Sequence, residues 1–254
     1  MPRHFLEIAF DGTAYSGWQV QPGDPSVQQA MELALRVVLR EPDIVVTGCG
    51  RTDAGVHALQ FFLHFDARTA MDERLLHSLN SVLPESIAAK RFWSVADNAH
   101  ARFDAVERGY LYRVHHRKDP FLENRSYHFR PALDVDAMNG ACAHLIGKKD
   151  FTSFCKAGSD NKTMLCDVRA ARWDQERDGL QFRISADRFL RNMVRAIVGT
   201  CLRIGSGVQA PDHMKDVILA LDRSAAGKGA PACGLYLQRV IYPYIPPTGS
   251  ATPI

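Results

Sequence analysis

The chain is 254 residues long, enough for one large domain or two of ordinary size. Hydrophobic residues make up 46% and charged residues 23%, and no apolar run reaches about eighteen residues, so a membrane-spanning helix is excluded. A net charge of +3 is too mild to indicate nucleic acid by itself, so the distribution of the charges has to decide.

Taken in chain order, Leu6, Ile8 and Phe10 alternate with Glu7 and Ala9, which predicts a half-buried strand. It begins just after the amino terminus with no apolar signal core, and a cytoplasmic protein is expected. Ser26 with Gln29 three residues later has the pattern of a capping box. The helix it opens carries Val27, Ala30, Met31, Ala34, Val37 and Val38 on one side and stops at Pro42. Strands are predicted over 44–47 and 59–65, a helix over 72–82 with Leu75, Leu76, Leu79 and Leu83 on one side, and a strand over 87–95. The order so far is β-α-β-β-α-β.

The second half repeats that order without any residue-level repeat. Strands are predicted at 110–116, 166–173, 180–185 and 235–242, with helices at 134–146 and 212–221. A long helix follows the third of its strands, with Leu190, Met193, Val194, Ile197, Val198, Cys201 and Leu202 on its apolar side. On that helix Arg188, Arg191 and Arg195 would form one basic stripe at three- and four-residue spacing. Residues 246–250, Pro-Pro-Thr-Gly-Ser, are too polar and breaker-rich to pack. The fold class expected is α+β: two ferredoxin-like, RRM-like halves, residues 1–103 and 104–254, forming an extended antiparallel sheet with a central cleft.

Cys49, Cys142, Cys155, Cys166, Cys201 and Cys233 show no Cys-x-x-Cys pair and no zinc-like spacing, so they read as buried small hydrophobes. His115 and His116 are adjacent on a predicted strand and point to opposite faces, which argues against a shared metal. No metal is expected.

The most informative stretch is Gly48 to Ala58, Gly-Cys-Gly-Arg-Thr-Asp-Ala-Gly-Val-His-Ala, held between two predicted strands. Arg51 and Asp53 stand two apart among glycines that allow tight bends and close backbone approach. A dinucleotide-binding turn would need a third glycine where Asp53 stands and a helix directly afterwards, and neither is present. A plain hairpin with a surface Arg–Asp pair fits the spacing equally well.

The string 50–58, Gly-Arg-Thr-Asp-Ala-Gly-Val-His-Ala, resembles the active-site signature of the tRNA pseudouridine synthase A family. The likeness extends to Phe10-Asp11-Gly12 through Gly17-Trp18-Gln19, to His100-Ala101-Arg102-Phe103, and to Arg108-Gly109-Tyr110-Leu111-Tyr112. It continues at Asp150-Phe151-Thr152-Ser153-Phe154 and from Phe189 through Met193-Val194-Arg195 to Gly199, in the family's order over nearly the whole chain.

That resemblance implies isomerisation of uridine to pseudouridine at positions 38, 39 and 40 of the tRNA anticodon arm, without a cofactor, by a homodimer. It implies Asp53 as the catalytic carboxylate, Tyr110 stacked on the extruded uracil, and Arg195 as the basic partner of Asp53. Arg51 would fill the space left by the flipped uridine. On spacing, and not on the resemblance, Arg188 and Arg191 of the basic stripe would add backbone contacts. On the residues alone, Asp53 is the one carboxylate in the glycine loop, and a nearby cation, Arg195 or Arg51, would keep it ionised as the site dries. Its action at the sugar stays open between attack at C1′, stabilisation of an oxocarbenium-like centre and removal of a C2′ proton.

Arg108-Gly109-Tyr110 also begins like the basic–Gly–aromatic strand of RNA-binding modules, but departs from it at Leu111. Trp18 reads as core and His57 as a hydrogen bonder that fixes the loop, and the resemblance implies Gly234-Leu235-Tyr236 as a pocket wall. Two other readings remain, an inactive RNA-binding module and a glycoside hydrolase. The second wants a further carboxylate within about 5 to 10 Å, and no paired acidic motif is evident.

Overall fold

The computed structural model describes residues 1–69, 71–159 and 161–246, so residues 247–250 of the expected unpacked tail lie outside the described residues. Contacts gather the chain into two units. Met1–Val106 groups with Tyr236–Pro246, and Glu107–Leu235 forms the other.

The first unit contains β1 (Arg3–Phe10), α1 (Val27–Leu39), β2 (Thr47–Gly48), β3 (His57–Asp66), α2 (Glu73–Val82) and β4 (Ile87–Val95). The second contains β5 (Glu107–His115), β6 (Tyr127–His128), α3 (Val135–Ala143), β7 (Gly147–Asp150), β8 (Leu165–Glu176) and β9 (Gly179–Ala186). It ends with α4 (Met193–Gly205) and α5 (His213–Ala220). The last strand, β10 (Leu235–Ile241), returns to the first unit from Tyr236 onward.

In the first unit β1 lies between β4 and β3, antiparallel to both, and β10 joins β3 in parallel with Tyr236 opposite His57. In the second, β5, β9, β8 and β7 follow one another antiparallel, and β6 adds to β5 in parallel. The fold is α+β with mostly antiparallel pairing.

Helix starts follow their local signals. Ser26 accepts from Gln29 N at 3.2 Å, Asp72 from Leu75 N at 2.8 Å and Asp134 from Ala137 N at 2.9 Å, each relieving an unpaired donor of the first turn. In α1 the buried side is Val27, Met31, Ala34, Leu35 and Leu39, whereas Val37 is 63% exposed. The stripe is therefore turned from the expected one, because Leu35 and Leu39 take the inward positions.

β1 is not half-buried. Phe5 and Leu6 on its opposite faces are both fully enclosed, and so is Glu7. Phe5 packs edge-on against Tyr242 at 5.3 Å, so the chain that follows β10 roofs the face expected to be wet. Burial of each large apolar side chain here contributes roughly 1.5–3 kcal/mol.

The strand expected over 44–47 shrinks to the two residues of β2. Side chains of α1 replace the ladder there: Arg36 Nε donates to Ile44 O at 2.9 Å, Gln28 Nε2 to Val46 O at 3.3 Å, and Val46 N to Glu32 Oε1 at 3.2 Å. The buried backbone is satisfied without a partner strand.

The basic helical stripe is not formed. Asn192, at φ 66, stands in the left-handed region just before α4, so Arg188 and Arg191 lie on the approach and only Arg195 is on the helix. An αL residue cannot continue a right-handed helix, and asparagine is among the few residues that accept it.

The turn after β4 is held by histidines. His64 Nδ1 accepts from Ala101 N at 3.1 Å, and His100 Nδ1 accepts from Arg102 N at 3.1 Å and Phe103 N at 3.3 Å. A ring nitrogen that accepts carries no proton. Burial first, then the charge of Arg3, pushes His64 down to about 4, and burial lowers His100 too.

A histidine pKa lowered by folding adds stability that is present above its unfolded value and is lost as pH falls toward the folded one. For His64 this amounts to about 1–3 kcal/mol, lost between about pH 6.5 and 4. Urea unfolding at pH 7.5 and 4.5 will show the parent weakening by most of that amount. His64→Asn, whose amide oxygen accepts the same N–H without titrating, will weaken less over that interval. An equal decline in both proteins refutes the assignment.

Candidate active site

Asp53 stands in the connection from β2 to β3, half-buried, with Arg51 exposed beside it. Val56 N donates to Asp53 O at 3.2 Å, closing a tight turn whose third residue, Gly55, has φ 75. A second loop, from β1 to α1, locks onto it. Gly55 N donates to Tyr15 O at 3.2 Å and Trp18 N to Thr52 O at 3.4 Å.

Gly17 makes that contact possible. Its φ is 99, and a Cβ there would lie 2.2 Å from Thr52 O. Its neighbour Trp18 is only 2% exposed and stacks on Phe61 at 4.3 Å, so the loop is tied to the core one residue from the contact. Trp18 is core, as its sequence context suggests.

His57, at the start of β3, is 2% exposed. Its Nδ1 accepts from Gly12 N at 3.1 Å and lies 3.2 Å from Asp11 Oδ1. One nitrogen cannot accept from the amide and donate to the carboxylate together, so the amide bond puts the proton of the neutral ring on Nε2. The ring also stacks on Tyr236 at 4.6 Å. His57 thus joins the foot of the Asp53 loop to the β1 turn and to β10.

In the second unit Tyr110 pairs with Ile184 across β5 and β9, is half-buried, and meets Phe189 edge-on at 5.1 Å. Tyr112, two residues on, is fully buried and donates to Pro231 O at 2.8 Å. Burial raises its phenol well above the ordinary tyrosine value. Of the two tyrosines expected on one face, one is sealed into the core and the other keeps an accessible part. Arg108 donates from Nη1 to Asp187 O at 3.0 Å.

Arg195 lies in the first turn of α4. A cation there opposes the helix dipole by about 0.3–1 kcal/mol, so helix stability does not account for its position. Its Nε donates to Ala230 O at 2.7 Å, and Ala230 N donates back to Arg195 O at 2.9 Å. One turn later, a Cβ on Gly199 would lie 2.0 Å from Lys228 O, so a glycine lets the strap 227–230 lie on the helix. The pattern Gly227-Lys228-Gly229-Ala230 was the signal for this strap in the sequence.

Arg188 is half-buried, with its backbone N–H donating to Asp187 Oδ1 at 2.7 Å. Arg191 is exposed, and its carbonyl accepts from Lys156 N at 2.9 Å. Five cysteines are buried and Cys233 is half-buried, all unbridged, and burial pushes the Cys166 thiol up to about 12. Among the described residues no group of three or more His, Cys, Asp or Glu could hold a metal ion.

The profile of the tRNA pseudouridine synthase family matches residues 141–243. Similarity to curated proteins runs nearly end to end. The tRNA pseudouridine synthase A of Porphyromonas gingivalis is 47% identical over 248 residues, which covers 96% of this chain and 98% of that protein. That of Parabacteroides distasonis is 45% identical over 245 residues, 96% and 97% of the two chains. That of Bacillus subtilis is 44% identical over 239 residues, 92% and 97%. With identity of this order across both units, the chain belongs to the tRNA pseudouridine synthase A family.

Proposed function

We propose that this enzyme isomerises uridine to pseudouridine in tRNA, at positions 38, 39 and 40 of the anticodon stem and loop, with Asp53 as its catalytic carboxylate. Kinship to proteins named tRNA pseudouridine synthase A supports the reaction and the substrate. The observation that carries the assignment of Asp53 is its turn, closed on itself and locked by the β1–α1 loop. Rigid support of this kind is what a group acting on one sugar carbon requires.

In the reaction the N1–C1′ bond breaks, the uracil turns, and C5 bonds to C1′. The C5 proton leaves and N1 gains one, so the product is an isomer and no electrons are exchanged. Asp53 acts at the sugar by attack at C1′, by stabilising an oxocarbenium-like centre, or by taking the C2′ proton. The uridine must first leave its stack, at a cost of a few kcal/mol.

Tyr110 offsets part of that cost by stacking on the extruded base, and its hydroxyl serves the proton step at C5. Arg51 occupies the space the base vacates, and Arg195 is the basic partner of Asp53. Arg188 and Arg191 touch the RNA backbone. On this reading the two halves, 1–103 and 104–254, are each elaborated ferredoxin-like units, and the enzyme works as a cytoplasmic homodimer without a cofactor.

Asp53→Asn keeps the shape of the side chain and removes its charge. It will fold and bind tRNA like the parent and form no measurable pseudouridine, whereas activity at even a tenth of the parent rate refutes the assignment.

Tyr110→Ala will weaken tRNA binding by about 1–3 kcal/mol, the range for base–aromatic stacking. Tyr110→Phe will bind normally and stall before product, because it keeps the ring and loses the hydroxyl. Full activity in both variants places Tyr110 outside the reaction.

Arg191→Ala will reduce the slope of log affinity against log salt by about 0.7–0.9, the signature of one lost phosphate contact. Arg195→Ala will instead cut the single-turnover rate at saturating tRNA far more than the affinity. A change confined to the salt slope in both variants removes Arg195 from the chemistry.

A further inference from the structure

The turn that follows β4 presents an aromatic ring to solvent on an unusually stiff support. Phe103 is 74% exposed, yet the backbone on either side of it is held at almost every residue. Arg3 Nη1 donates to Ala99 O at 2.9 Å, Ala101 N to His64 Nδ1, and the Tyr242 hydroxyl to Ala101 O. His100 N donates to Asp104 Oδ2 at 2.7 Å, and the Tyr244 hydroxyl donates to the same oxygen at 2.8 Å. His100 Nδ1 accepts from Arg102 N and from Phe103 N itself.

The His100 ring backs the phenyl ring at 4.2 Å with an interplanar angle of 32°, and His64 in turn meets His100 at 4.7 Å. The Arg102 guanidinium carbon lies 5.8 Å from the centre of the Phe103 ring. A single exposed apolar residue is ordinary on a protein surface. A flat ring backed by an imidazole, with a guanidinium over it, is a different object, because it combines a stacking surface with a cation.

We propose that Phe103, with Arg102 beside it, is a stacking platform for an unstacked base of the RNA substrate, separate from the Asp53 loop. The inference rests on the reading that this enzyme acts on RNA. The two places lie at opposite ends of one strand. His57 begins β3 under the Asp53 loop, and His64, seven residues on, supports the Phe103 turn, a span of about 23 Å at 3.3 Å per residue. Phe103 therefore holds a nucleotide several positions away from the reacting uridine. A ring already fixed by its support loses little freedom when a base settles on it. Apolar protein partners need a broad patch, whereas the neighbour of this ring is an exposed arginine, which matches a base with its phosphate.

Binding of a tRNA transcript by the parent, Phe103→Ala, Phe103→Leu and Phe103→Trp separates the possibilities, with thermal melting and sedimentation recorded for each. The Ala and Leu variants will raise Kd on the order of tenfold, and Trp, which keeps an aromatic face, will stay near the parent. The single-turnover rate at saturating tRNA will fall far less than the affinity, and Arg102→Ala will lower the salt slope by about 0.7–0.9.

Parent-like affinity in Phe103→Ala overturns the proposal, and so does parent-like affinity in Phe103→Leu, which would mean apolar contact without stacking. A change of oligomeric state in Phe103→Ala with unchanged tRNA affinity also overturns it and assigns the ring to a contact between copies. Pseudouridine formation by the parent is scored alongside. Its absence would sink the functional reading, while the Kd series would still decide the platform.

Discussion

The interlock of two backbone segments at Gly17 and Thr52 is the constraint on which the candidate site depends. With 2.2 Å between a Cβ at residue 17 and Thr52 O, any side chain there must push the Asp53 loop off its seat. Displacements of about 1 Å cost rate in reactions that rely on positioning. The interlock is stiff because Trp18, the next residue, is buried on Phe61, so the β1–α1 loop cannot retreat without unpacking the core. Position is thus passed from the sheet through the packing of Trp18 on Phe61, and then through backbone contact, to the loop that carries the carboxylate.

The second unit uses the same device for a cation. Gly199 lets the strap 227–230 lie directly on α4, and the strap carbonyl at Ala230 holds Arg195 by its Nε. Here a glycine one turn along the same helix makes room for the strap that fixes a charged residue placed where local stability does not favour it. An arginine in the first turn of a helix is tolerable because its hydrogen bond to the strap, and not the helix dipole, sets its position.

What was legible in the sequence was local. Caps at Ser26, Asp72 and Asp134 and the apolar spacing of α2 all depend on residues a few positions apart. The string around Asp53 was legible for a related reason, since its glycines and charged residues are contiguous. What could not be read depended on distant partners. Residues 44–46 look like a strand, yet Gln28, Glu32 and Arg36 of α1 satisfy their backbone. The arginine stripe required a helix through residue 192, and a single left-handed asparagine removed it. Spacing carries information only where the assumed period holds. The same limit hid Gly17, whose reason for being glycine is a carbonyl thirty-five positions later.

The return of β10 to the first unit is the least local feature, and side chains reinforce its ladder pairing. Its parallel pairing with β3 covers only Tyr236 and Leu237. Beyond them Gln60 acts as a clamp: its Oε1 accepts from Val240 N at 2.9 Å, and its Nε2 donates to Glu7 Oε1 at 3.2 Å. Glu7 is buried, with Arg91 Nε 3.3 Å from its other oxygen, so removing either partner would strand a polar or charged group away from water. That clamp matters for the site because β10 carries Tyr236 onto the ring of His57, and His57 holds Gly12 in the loop that locks Asp53. A strand about 180 residues away in sequence thereby sets the orientation of the imidazole at the foot of the Asp53 loop.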